Sequence, residues 1–216
     1  MQGALAPDVE FQVCDSFAYR VCKRTLDIAA ALFGLTLLAP LFPLIVLLIK
    51  LDSGGPVIFA QRRVGRGGRL FTCYKFRSMV RDAEALKSSL AHLNEASGAA
   101  FKIRRDPRIT EVGHFLRRSS LDEMPQLVNV LRGHMSIVGP RPQIPTEVEL
   151  YNGWQRRRLE VKPGITCLWQ ISGRSHVGFD EWMLLDLDYV RRRSLKLDFW
   201  IVLRTLPAVI ARKGAY

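Results

Sequence analysis

From Ile28 to Ile49 the chain runs for 22 residues without a charge, IAAALFGLTLLAPLFPLIVLLI. A soluble core helix rarely lacks charge for so long, so this segment is expected to meet a membrane. As a straight helix it would measure about 33 Å, enough to cross the hydrocarbon core. Pro40 and Pro43 stand near its middle. Each removes a backbone donor and crowds the preceding turn, and Pro40 is expected to push Ala39 out of helical geometry. Arg20, Lys23 and Arg24 precede the run, and Lys50, Arg62, Arg63, Arg66 and Arg69 follow it. Positive charge favours the cytoplasmic face, and here both flanks carry it. A break with two cytoplasmic ends describes a re-entrant helical hairpin over 23–50, with arms of about 15–18 Å. A kinked crossing helix is the alternative, because prolines also occur in spanning helices.

The 216 residues suffice for one domain with a core, or a domain and an appendage. A formal charge of +12 calls for an anionic partner: nucleic acid, anionic lipid or a phosphorylated substrate. Cys14, Cys22, Cys73 and Cys167 form no CxxC pair, and the four histidines are scattered, so reduced thiols and no zinc-type site are expected. Residues 1–22 read as an N-terminal extension without a signal-peptide pattern.

Beyond the apolar run, Val57–Gln61 and Leu70–Phe76 are β-branched and aromatic, and the glycines between them suit the turn of a β-hairpin. Ser78–Ala96 reads as a polar helix and 98–110 as a cation-rich loop. Helices are expected at Phe115–Arg118, Leu121–Leu131, Glu147–Glu160, Phe179–Tyr189 and Leu195–Ile210. The last of these, with Phe199 and Trp200, suits either a membrane interface or the domain core. The fold class expected is α+β, mostly helical: a small domain over 51–216 with a short β-hairpin, anchored by the broken helix and by interfacial amphipathic helices.

Arg117–Pro142 concentrates the chemistry. Asp122 and Glu123 follow two arginines and two serines, and a Gly-Pro-Arg-Pro turn closes the stretch. Ser119 or Ser120 with Glu123 fits a helix capping box, and acidic residues suit a first helical turn. The same acids among cations also suit a place where phosphate is handled.

Taken in order, the motifs resemble a family. They are Lys23-Arg24 with Asp27, Tyr74–Met79 (YKFRSM), Asp106–Thr110 (DPRIT), Leu116–Gln126 (LRRSSLDEMPQ), Met135–Pro142 (MSIVGPRP), Lys162–Thr166 (KPGIT) and Trp169–Arg174 (WQISGR). From about Lys23 to Tyr216 the chain resembles the bacterial sugar transferases, the monotopic polyprenyl-phosphate phosphoglycosyl transferases. The resemblance implies transfer of hexose-1-phosphate, glucose or galactose, from a UDP-hexose to undecaprenyl phosphate, with release of UMP. That would be the first membrane step of exopolysaccharide, O-antigen or capsule synthesis, at the cytoplasmic face of the bacterial inner membrane. It implies Asp122 as nucleophile, a covalent aspartyl-phosphosugar, and Mg²⁺ held by Asp122 and Glu123. Lys75, Arg77, Arg117, Arg141 and Arg174 become the substrate-binding cations, and Lys162–Thr166 a turn. Arg24, Pro40 and Pro43 belong to the membrane anchor. Arg24 is expected on lipid phosphate, and Asp186 on a basic residue near the anchor. Membrane lipids are implied partners, nucleic acid is not, and a homodimer is compatible with the group. Some members have Ser-Pro at the hairpin break; here it is Ala39-Pro40, so the bend must rest on the prolines. With no further membrane helix before Lys23, the chain looks like a minimal catalytic form.

Overall fold

The structure is a computed structural model and describes residues 16–95, 101, 103, 105–173 and 177–210. Ser16 opens α1 (Phe17–Leu38) by accepting the Tyr19 N–H at 3.2 Å. The chain then bends at residues 39–41 into α2 (Phe42–Asp52), turning by 64°. Among the described residues no single helix is long and apolar enough to cross a membrane, but the bent pair passes that test together. The break falls where the prolines predict it, with a different local cause. Ala39 keeps right-handed helical dihedrals, and Pro43 sits in the first turn of α2, where a missing N–H leaves no bond unmade. α1 begins inside the expected extension and, at about 33 Å, is twice the predicted arm.

The two faces of this bent pair differ. Ala31 packs with Phe71, Cys73, Leu127, Val130 and Met135, and Leu38, Ile45 and Ile49 pack with Phe76 and Leu116. The inner face is therefore part of the domain core, and the boundary expected at residue 50 does not separate two cores. Outward, Phe17, Leu32, Phe33, Leu37, Leu47 and Leu51 stay exposed.

β1 (Ile58–Val64) and β2 (Leu70–Phe76) form the expected antiparallel hairpin, from Ile58 opposite Phe76 to Val64 opposite Leu70. From Ser78 to Glu95 the chain forms turns and short 3₁₀ segments rather than the predicted polar helix. Buried Arg108 organises this region, pairing with Asp106 and donating to the Ala83 carbonyl at 3.0 Å. α3 (Glu111–Arg118) starts at Thr110, whose hydroxyl accepts the Gly113 N–H. A Cβ on Gly113 would lie 2.0 Å from the Ser78 carbonyl oxygen, so only glycine lets α3 approach that loop.

The helix expected at 121–131 is divided into a 3₁₀ turn at Leu121–Glu123 and α4 (Gln126–Leu131), with Pro125 between them. Fully buried Asn129 fastens α4 to β2, accepting the Tyr74 N–H at 3.0 Å and donating to the Thr72 carbonyl at 2.7 Å. Asp27 does the same for α1, accepting from Ser136 Oγ and the Ile137 N–H, both at 3.0 Å.

β3 (Ser136–Val138) and β4 (Gly164–Thr166) pair in parallel, so the expected KPGIT turn is partly a strand. Gly139 and Gly164 touch backbone to backbone, and a Cβ on Gly164 would meet the Gly139 nitrogen at 2.1 Å. Between these strands the predicted charged helix is three short pieces. They are α5 (Pro145–Glu149), α6 (Gly153–Arg156) with a capping box of Asn152 and Gln155, and a 3₁₀ turn at Arg157–Glu160. α7 (Leu168–Ile171), α8 (Phe179–Arg192) and α9 (Leu195–Ile210) complete the fold. α9 packs one side into the domain core, with Ile201 fully buried, and leaves Phe199, Trp200 and Leu203 exposed.

Removing the Asn129 side chain strands a strand N–H and a strand carbonyl. Asn129→Ala should cost about 2–4 kcal/mol, from two unmet partners. Denaturant unfolding of the purified chain in detergent measures it, and a loss below ~1 kcal/mol would contradict the assignment.

Candidate active site

Four segments meet around Asp122 and Glu123, two of them adjacent in sequence and two distant. β2 supplies Lys75, the last turn of α3 supplies Arg117, the 3₁₀ turn supplies the acids, and the loop after β3 supplies Arg141. The joint between α3 and the 3₁₀ turn is Ser120, which adopts φ 58°, ψ 15°. A left-handed serine costs about 1–2 kcal/mol, and such strain persists where neighbours over-determine it. Here it turns the chain so that both acids face inward.

The capping box read from the sequence does not form. Ser120 makes no side-chain cap bond. Ser119 closes the preceding helix instead, donating to the Phe115 carbonyl at 2.8 Å. The expected helix-dipole support for Asp122 is also absent, because the acids sit in a three-residue 3₁₀ turn ahead of Pro125.

Glu123 is engaged elsewhere. Its Oε1 accepts from Lys75 Nζ at 2.6 Å and pairs with Arg141 Nη1 at 3.0 Å. Burial opposes ionisation of Glu123, but Arg141 and Lys75 outweigh it and hold the carboxyl well below the usual range. The same contact with Glu123 raises Arg141 above its ordinary value. Asp122 is as buried as Glu123, yet no side-chain hydrogen bond reaches it among the described residues. Burial first, and the adjacent Glu123 second, push it up to about 6, against the pull of Lys75, Arg117 and Arg141. At neutral pH it is still mainly ionised: an anion near three cations and bonded to none.

Arg117 donates from Nε to Ser78 Oγ at 2.9 Å, which fixes it across the close approach that Gly113 permits. Arg141 is held through its backbone. The Gly139 N–H donates to Thr166, the Gly164 N–H donates to Pro140, and Arg63 donates to the Pro142 carbonyl at 3.0 Å. Arg158 completes the support, donating to the Arg141 carbonyl at 2.8 Å and to Tyr151 Oη at 2.9 Å while pairing with Asp186. Its guanidinium lies over the rings of Tyr151 and Trp182, 5.7 and 5.4 Å from their centroids. Asp186 therefore serves the site's support rather than the anchor. Sequence reasoning missed Arg158 because it hides in a run of three arginines that resembles a solvated face. The available signal was Asp186, a carboxylate on the buried stripe of α8 with Met183, Tyr189 and Val190.

Arg77 is not brought to this cluster. Its guanidinium donates to Ser53 and to the Ile49 carbonyl, capping the C-terminal end of α2. Arg24 donates to the Val130 and Leu131 carbonyls at 2.6 and 2.7 Å, closing α4. Arg174 lies outside the described residues. No disulfide joins the described cysteines, and burial pushes the Cys73 and Cys167 thiols up.

Among the described residues no group of three or more His, Cys, Asp or Glu side chains is placed to hold a metal. Two carboxylates with an unbonded Asp122 suit magnesium, which needs few protein oxygens and completes its shell with water and phosphate. They do not suit a structural zinc site.

A family model described as bacterial sugar transferase matches residues 18–212. The chain is 48% identical over 200 residues to the galactosyl transferase CpsE of Streptococcus agalactiae, covering 92% of this chain and 44% of that protein. It is 43% identical to the exopolysaccharide production protein ExoY of Rhizobium meliloti, covering 91% and 88%. It is 47% identical to the undecaprenyl-phosphate galactose phosphotransferase of Salmonella typhimurium, covering 91% and 42%. The chain thus spans less than half of two of these relatives and most of the third.

The layer beneath Arg141 is open to test. Arg158→Met leaves the Asp186 charge buried alone and should lower stability by about 3–5 kcal/mol. The double variant Arg158→Met/Asp186→Leu should recover most of that loss in thermal melting. Equal melting of the single and double variants would contradict the pairing.

Proposed function

The chain belongs to the bacterial sugar transferase family, and from that premise we propose that it moves hexose-1-phosphate from a UDP-hexose to undecaprenyl phosphate. UMP is the leaving product, and the step serves exopolysaccharide, O-antigen or capsule synthesis. The hexose is galactose or glucose; galactose is the first to test, because two of the relatives named above carry it in their names.

One observation carries this reading: an unbonded Asp122 carboxylate beside Lys75 and Arg141, which Glu123 holds in place. An Asp122 oxygen attacks the sugar-bearing phosphorus, and the bond to UMP breaks with its electron pair leaving on UMP. The product is an aspartyl phosphosugar. A phosphate oxygen of the polyprenyl acceptor then attacks the same phosphorus, and the Asp122–phosphorus bond breaks to restore the carboxylate. Lys75, Arg117 and Arg141 offset the repulsion between nucleophile and diphosphate, and Arg141 adds directed N–H donors for phosphate oxygens. Asp122 and the second oxygen of Glu123 would hold one Mg²⁺, which supplies further charge neutralisation at the diphosphate.

The acceptor phosphate is tied to a lipid, so the site must sit at the membrane surface. The exposed apolar faces of α1, α2 and α9 support that placement. We infer that the bent pair enters one leaflet from the cytoplasmic face and returns, as a monotopic anchor in the bacterial inner membrane. A 64° turn shared by both arms tips each about 32° from the membrane plane. Over the 11 residues of α2 that carries the bend roughly 9 Å deep. This is the depth of an interfacial helix rather than of a crossing one.

With UDP-galactose, undecaprenyl phosphate and Mg²⁺, Asp122→Asn should reduce UMP release at least ~10³-fold, as loss of a nucleophile does. Full activity of that variant would refute the nucleophile assignment, and chelation of Mg²⁺ should also stop release. In a background with Cys14 and Cys22 replaced by serine, Ser16→Cys and Gly54→Cys should both react with an impermeant maleimide from the cytoplasmic side. Labelling from opposite sides would establish a crossing segment instead.

A further inference from the structure

At the far end of α4 from the acids lies a cavity of about 130 Å³ between α1 and the β3–β4 layer. From Glu123 to the last turn of α4 is roughly 12 Å along the axis, so this is a separate place. Six cationic side chains line it, Arg20, Lys23, Arg24, Arg66, Lys162 and Arg193, against the single carboxylate of Asp27. They come from α1, the β1–β2 turn, the residues before β4 and the end of α8, so tertiary folding gathers them. A solvated face of one helix would not do this.

Their commitments differ. Lys23 is paired with Asp27 at 3.2 Å and Asp198 at 3.1 Å. Arg24 is pinned by the Val130 and Leu131 carbonyls. Lys162 is half-buried, and among the described residues no acceptor reaches its amine. A Cβ on Gly133, whose φ is 79°, would lie 3.7 Å from both Lys162 Nζ and Arg24 Nη2. The two cations therefore border one gap beside Gly133, which has no side chain to fill it. Burial, and then Arg24, pull Lys162 toward its neutral form. Like charges confined along this lining repel one another, and an anion there would exchange repulsion for charge-assisted hydrogen bonds.

We propose that this cavity is a second anion site, distinct from the Asp122 cluster, which takes a phosphate group on Lys162, Arg24 and Arg66. The group is either the phosphodiester of a membrane lipid headgroup or free phosphate. A lipid source fits the position on α1, which also carries the exposed Phe17, Val21 and Leu26. That source rests on the membrane placement proposed above; free phosphate does not.

The test uses the full chain in two arms, with Lys162→Met and the exposed Arg66→Gln beside the wild type. In neutral detergent, inorganic phosphate replaces chloride at matched ionic strength and melting is followed. In nanodiscs of phosphatidylcholine with or without phosphatidylglycerol, native mass spectrometry counts retained anionic lipid. The expected result is a phosphate-dependent rise in melting temperature or one retained lipid for the wild type. Either should weaken roughly ten-fold in affinity in each variant. Lys162→Met should also melt at or above the wild type without phosphate, since it relieves repulsion. Retention without a melting rise assigns a headgroup, and a rise without retention assigns free phosphate. A rise or retention unchanged in both variants places the anion elsewhere and overturns the proposal, as does the absence of both in the wild type.

Discussion

The bond from Lys75 and Arg141 to one oxygen of Glu123 is the contact on which the site depends. A carboxylate this buried is unfavourable unless paired, and its pairing partners lie 48 residues before it and 18 after it. Satisfying Glu123 therefore forces β2, the 3₁₀ turn and the loop after β3 into one place. It also leaves Asp122 with field from the cations but no bond to them. A nucleophile needs that combination: charge compensation without a partner that must first be displaced.

Around this centre the fold repeats one device, a buried or half-buried polar side chain that satisfies the backbone of a different element. Asp27 ties α1 to β3, Asn129 ties α4 to β2, Arg24 closes α4, Arg77 closes α2, and Arg158 holds the loop that carries Arg141. Short helices and two-residue ladders leave many unpaired N–H and C=O groups, and long polar side chains meet that demand. The bent α1–α2 pair consequently behaves as part of the domain. Its inner face is core and tether, and only its outer face is apolar and exposed.

Legibility in the sequence followed the range of the forces involved. The uncharged run, its break at the prolines, the β1–β2 hairpin, α8 and α9 all rest on local pattern, and local pattern located them. The polar helix expected at Ser78–Ala96 did not form over its described residues, 78–95, because Arg108 and Asp106 organise that stretch from outside it. The capping box failed for a related reason: Glu123 has stronger partners in Lys75 and Arg141 than a helix N–H. Of the cations expected at the site, Lys75, Arg117 and Arg141 converge there, and Arg77 serves the end of α2.

The sequence by itself determined the chemical inventory: an apolar run that proline must break, an excess of cations, and an acid pair next to arginines. These are properties of neighbours along the chain, and no fold can remove them. Tertiary structure decided which cations face which acid, because an arginine reads the same in sequence whether it caps a helix or waits for phosphate. It also decided that Asp122 stays unbonded while Glu123 is bound. That difference comes from the left-handed turn at Ser120 and from strands and loops that only the complete fold brings together.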